Sequence, residues 1–227
     1  MKNLLLFVLG LCILSSAAWA GTYTYVPVPA NLYDLYHPYC YSWTIDLSSK
    51  GFDPAKENIL TATVNFHQIN DWTQETNNLY VTLMDPTAGV ALGVGSYSDV
   101  TSGLVNDWTV KDGTNNWKLK PALFPNRLAV GSYSDTDGHY GNMAPYSDVA
   151  IGFGSSALTS LNTYAADKRI AIGFDPDCHY FNSGIDLTIT TTTKENVVGV
   201  PEPMSVMLGA LGLASVAGIR RFRKSRA

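Results

Sequence analysis

The chain has 227 residues, 46% of them hydrophobic and 15% charged, with a formal net charge of −4. That value hides an uneven distribution: residues 21–200 carry 9 Lys and Arg against 18 Asp and Glu, a net charge of −9, while the last eight residues carry five positive charges. An acidic body repels polyanions and excludes a nucleic-acid partner.

The first twenty residues read as an export segment. Lys2 gives a positive start, Leu4 to Leu14 form an apolar run, and Ala18-Trp19-Ala20 matches the small-residue cleavage rule. The run is too short for a stable membrane anchor. Cleavage after Ala20 leaves Gly21 at the mature N-terminus. A lipid-anchored reading at Cys12 is disfavoured because Leu11, just before it, is not small.

From residue 21 to 193 the chain is rich in Thr, Tyr, Gly, Asn and Asp and poor in Glu and Lys, which favours strands and tight turns. About 180 residues suit one domain with its own core. Tyr39, Tyr41, Trp43, Ile45 and Leu47 alternate onto one face of a first strand, which places Trp43 in the core. Ile59 to Gln68 follows, with Leu60, Ala62, Val64 and Phe66 on one face, and Leu79 to Met84 is a third strand. Further strands are expected at Val90 to Val94, Leu104 to Val110, Arg127 to Val130, Val149 to Phe153, Ile170 to Phe174 and Gly184 to Thr191. Short strands at this spacing predict an all-β fold, a β-sandwich or jelly roll.

One segment breaks the two-residue period. Leu158, Leu161 and Ala165 fall at helical spacing, so Ser155 to Asp167 is expected to be one short helix capped by Ser155 or Ser156. Gly95-Ser96-Tyr97-Ser98-Asp99 recurs as Gly131-Ser132-Tyr133-Ser134-Asp135, and Ala150-Ile151-Gly152-Phe153 as Ala171-Ile172-Gly173-Phe174. The spacings share no period, so these are similar strand-and-turn solutions, not a repeat fold. Residues 194–200 form a linker.

The tail has three parts in fixed order. Pro201-Glu202-Pro203 marks the end of an extended stalk, since proline cannot sit inside a regular helix. Residues 204–219 carry no charge; as a transmembrane helix they reach about 24 Å, which snorkelling side chains can extend. Arg220, Arg221, Arg223, Lys224 and Arg226 then hold this end in the cytoplasm. This arrangement resembles the PEP-CTERM sorting signal over residues 201–227. The resemblance implies export through the Sec and signal-peptidase machinery, then recognition and cutting near Pro201, Glu202 and Pro203 by an exosortase. It also implies a bacterial envelope that makes extracellular polysaccharide. The body is similar to the β-sandwich of many such proteins in Tyr41–Leu47, Tyr80–Asp85 and Gly173–Tyr180, a likeness that supplies no molecular activity.

After removal of residues 1–20, Cys40 and Cys178 are the two cysteines left, and an oxidising compartment allows a bridge between them; two separate buried thiols are the alternative. Asp175, Asp177, Asp135 and Asp137 are candidate calcium ligands, while Asp-Pro and Asp-Gly also read simply as turns. The segment Asp135 to Gly138 lacks the downstream Glu of an EF-hand loop. No other cofactor is expected, and no nucleophile elbow is present: Gly152-Phe153-Gly154-Ser155-Ser156 lacks the final Gly. His179 beside Cys178 points the other way along a strand.

Trp72 and Trp108, each preceded by Asn-Asp, sit in turn contexts where flat aromatic faces can meet sugar rings; they can equally plug the ends of the fold. The expectation is therefore a non-enzymatic envelope or matrix protein linked to exopolysaccharide. A carbohydrate-binding module is the alternative and a secreted hydrolase the third reading.

Overall fold

The structure is a computed structural model that describes residues 21–28, 32–98, 122–136 and 146–194. The export segment, the strand expected at Leu104 to Val110, Trp108, Asp137 and the sorting tail with its expected transmembrane helix lie outside these residues. No helix among the described residues is long and apolar enough to cross a membrane.

The strands are β1 (Thr22–Tyr25), β2 (Asp34–Leu35), β3 (Tyr39–Asp46), β4 (Glu57–Asp71), β5 (Asn77–Asp85), β6 (Gly93–Ser98), β7 (Asn126–Asp135), β8 (Ser147–Gly152), β9 (Arg169–Pro176), β10 (Tyr180–Phe181) and β11 (Gly184–Thr193). They form two antiparallel sheets, ordered β1-β11-β4-β10-β2, with β8 also on β4, and β6-β3-β9-β5-β7. The two copies of Gly-Ser-Tyr-Ser-Asp begin in β6 and β7, the opposite edges of the second sheet.

Alternation explains the core. Val64, Phe66, Leu187 and Ile189 of the first sheet share one apolar cluster with Trp43, Val81, Leu83, Ile172 and Phe174 of the second. Phe66 meets Phe174 edge-on between the sheets, ring centroids 5.8 Å apart. Trp43 is 2% exposed, as its alternation required, whereas Tyr39 at the start of β3 is exposed.

The long strand β4 departs from simple alternation twice. Thr190 pairs with Thr61 but Thr191 pairs with Ile59, so Leu60 is an extra residue. A bulge of this kind inverts the inward set. Ile59 is buried, and Leu60, expected to face inward, is 53% exposed. The second irregularity falls between Phe66 and Ile69 opposite β8. There Gln68 adopts a φ of 51°, and its N–H donates to Asp148 Oδ1 at 2.9 Å. Ile69 thereby regains the interior.

The expected helix is α1 (Ser155–Tyr164), followed by a 3₁₀ turn at Ala165–Asp167. Ala157, Leu161 and Ala165 are buried. Its N-cap is Gly154, not either serine, and no side chain caps it. Asn162 replaces a neighbouring strand for Ile59: the Ile59 N–H donates to Asn162 Oδ1 at 2.8 Å and Asn162 Nδ2 donates to the Ile59 carbonyl at 2.9 Å.

The Cys40–Cys178 bridge is corrected. The two cysteines are buried thiols that are not bonded to each other. Cys40 packs with Met84, Val90, Phe124 and Ala171, while its neighbour Tyr41 belongs to the central core, as does Cys178. Alternation along β3 therefore puts the two sulfurs on opposite faces of the second sheet.

Candidate functional site

The strands β4, β10 and β2 meet in a short three-stranded corner. Asp71 pairs with Tyr180, which pairs with Leu35; Asn70 pairs with Phe181, which pairs with Asp34. The pleat sends Leu35, Asp71 and Tyr180 inward, all buried. It sends their chain neighbours Tyr36, Trp72, His179 and Phe181 to the other side. A sheet corner of so few residues thus gathers four rings from three distant parts of the chain.

The rings form a continuous shelf. Trp72 stacks on His179 at a centroid distance of 5.7 Å and an interplanar angle of 28°. Phe181 lies 5.7 Å from Trp72 and 4.6 Å from His179. Tyr36 closes the row 4.7 Å from His179. His179 Nε2 hydrogen bonds to the Asp34 carboxylate, which fixes the ring in the row. His37 adjoins this group; burial first, then the charge of His179, holds its pKa below the ordinary imidazole value. Trp72 keeps 48% of its surface exposed and Tyr36 41%.

Beneath the shelf lies a buried polar layer that pins the turn carrying Trp72. The Thr73 N–H donates to Asp71 Oδ1 at 3.1 Å. Asn77 Nδ2 donates to Asp71 Oδ2 at 2.8 Å, to Thr73 Oγ1 at 2.6 Å and to the Glu75 carbonyl at 3.0 Å. The Asp71 N–H donates to Asp135 Oδ2 at 2.8 Å, tying β4 to β7 of the other sheet. Tyr180 packs edge-on against Tyr133 at 6.0 Å, and its buried hydroxyl has no hydrogen-bond partner among the described residues. Burial, with the nearby acids Asp177, Asp71 and Asp135, drives its phenol pKa far above the ordinary value. Cys178 Sγ lies 3.7 Å from Thr73 Oγ1, and burial raises its thiol pKa.

Beside the shelf is an open cavity of about 380 Å³ whose walls include Tyr33, Asp34, Gln68, Tyr146, Phe181 and Asn182. Phe181 and Asp34 belong to both cavity and shelf, so the two are one surface. Tyr33 and Tyr146 are 49% and 41% exposed. Asn182 is 9% exposed; its Nδ2 donates to the Leu32 carbonyl at 2.6 Å, while its Oδ1 has no hydrogen-bond partner among the described residues. Gln68, in its left-handed conformation, is a strained backbone element of this wall.

Of the residues singled out in the sequence, Trp72 lies on the aromatic shelf of this surface. Asp135, Asp175 and Asp177 lie at the same end of the fold but not as one ligand set. Asp135 accepts the Asp71 N–H, and Asp177 accepts the Asn78 N–H at 2.5 Å and Asn78 Nδ2 at 3.3 Å. Asp175 is buried in β9 opposite Tyr80. No group of three or more His, Cys, Asp or Glu is arranged to hold a metal ion among the described residues. A second His–Asp pair, His67 Nε2 with Asp186 Oδ2 at 2.8 Å, sits on the outer side of β4 and β11. The adjacent Ser183 hydroxyl donates to the His67 carbonyl oxygen at 3.2 Å, not to its ring, so this trio is not a hydrolytic triad.

Tyr33, Asp34, Tyr36 and Phe181 escaped the sequence reading. The alternation His179-Tyr180-Phe181 was a usable signal, but its partner strand β2 has two residues and no detectable period. No protein-family model matches the chain, and no curated protein matches it.

Proposed function

We propose that this chain is an exported, non-enzymatic protein of the cell envelope or extracellular matrix. Residues 1–20 direct it across the inner membrane, and an exosortase cuts the tail near Pro201-Glu202-Pro203. The observation that carries this reading is the order of the tail's three parts: Pro-Glu-Pro, sixteen uncharged residues, and the cluster from Arg220 to Arg226. Charged residues at one end and an apolar run of that length fit a helix anchored from the cytosolic side. A body of β-sandwich, jelly-roll-like form agrees with the two antiparallel sheets and their shared core. Replacing Pro201, Glu202 and Pro203 with alanine tests the reading: the full-length form should accumulate in the inner membrane. Unchanged processing would reduce the tail to a plain anchor.

A second reading, carbohydrate binding, is favoured by one feature. Trp72 is almost half exposed although its ring is held in place by His179 and Phe181. A fixed, exposed indole is suited to stacking on a sugar ring.

A further inference from the structure

We propose that the Trp72 shelf and the adjoining cavity form one saccharide site, and that it takes an uncharged or amino-bearing glycan chain while excluding uronate and sulfated chains. The proposal rests on the carbohydrate reading and adds to it the place of contact and the class of ligand.

Three features point to a polyhydroxylated ligand. The surface offers aromatic faces at two positions, Trp72 with Phe181 on the shelf and Tyr33 with Tyr146 in the cavity. Sugar rings present flat C–H faces to such groups and hydroxyls to their flanks. The cavity wall that carries Tyr33, Tyr146 and Phe181 also carries the hydrogen-bonding groups of Asp34, Gln68 and Asn182. These can serve hydroxyl donors, and the side-chain carbonyl of Asn182 has no partner among the described residues despite its burial. Third, the site is built before any ligand arrives. Asn77 and Asp71 fix the Trp72 turn, and Asp34 fixes His179. A preformed site of mixed aromatic and polar groups, with a volume inside the range of about 300–1,000 Å³ usual for small-ligand pockets, loses little entropy on binding.

Charge decides the class. Among the described residues no lysine or arginine lines the cavity, whereas the Asp34 carboxylate does, and Asp34 is exposed. The surrounding chain from residue 21 to 200 has 9 basic against 18 acidic residues. A carboxylate or sulfate on each sugar would meet the Asp34 carboxylate, with no guanidinium or ammonium among the described lining residues to receive it and the His179 imidazole already paired with Asp34. A neutral chain meets no such barrier, and an ammonium is attracted to Asp34 and to the indole face.

The test is a glycan array carrying neutral, amino-bearing, uronate and sulfated chains, probed with the full-length chain in detergent. Wild-type binding to neutral or amino-bearing chains should fall about tenfold or more in Trp72→Ala and, independently, in Tyr33→Ala. Trp72→Phe should recover part of it. Leu60→Ala, at an exposed residue of β4 twelve positions before Trp72, is the control and should bind as wild type. Equal melting temperatures for the variants separate lost contact from lost fold. Preferential binding to uronate or sulfated chains would overturn the ligand class. Wild-type binding that survives both Trp72→Ala and Tyr33→Ala would overturn the site and leave the carbohydrate reading standing. No binding by the wild type to any chain would overturn both.

Discussion

Trp72 lies stacked against His179, their ring centroids 5.7 Å apart, although 107 positions separate them in the chain. The contact exists because Asp71 and Tyr180 are paired across β4 and β10, and each sends its neighbour to the same side. The ring row is a direct product of strand register.

The buried layer under that row holds the turn, and the exposed ring does not. Asn77→Ala removes three side-chain hydrogen bonds, one of them to the buried Asp71 carboxylate. It should destabilise the chain by about 2 kcal/mol, while Trp72→Ala should change stability by less than about 1 kcal/mol. Urea unfolding of both variants checks the ranking, and the reverse order would mean that Trp72 is a structural plug.

Tyr180 offers the opposite sign. Its ring fills the core and its hydroxyl is buried beside three acids with no partner among the described residues. Burying an unsatisfied hydroxyl costs on the order of 1–3 kcal/mol. Tyr180→Phe should therefore unfold at equal or higher urea concentration than wild type. A midpoint clearly below wild type would show that the hydroxyl is satisfied.

Cys40 and Cys178 sit on opposite faces of the second sheet, and burial raises the Cys178 pKa. A thiol reacts as its thiolate, so iodoacetamide at pH 8 should label neither residue in the folded chain. In denaturant without reductant both should be labelled. A Cys40–Cys178 bridged peptide in the non-reduced digest would contradict this arrangement.

Much of the fold was legible from alternation. The strand β3 is long enough for a two-residue period to show, and Trp43 went to the core with Ile45 and Leu47 as that period required; β9 stands out as an apolar run, buried almost throughout. The failures have physical causes. The bulge at Leu60 inverts the inward set of β4, and a bulge leaves no mark in an apolar count. The cysteines looked pairable because parity across separate strands cannot be compared before their register is known. Trp72 was found as an aromatic in a turn. Its companions were not, since Asp34 and His179 meet across 145 positions through strands of two residues.

The export and processing of the chain are most directly tested by the intact mass and terminal sequences of the protein recovered from the envelope and medium of cells that express it with an exosortase. The account predicts a chain that begins at Gly21 and ends near Pro201-Glu202-Pro203. A cytosolic chain that still carries Met1 and Arg226 would contradict it.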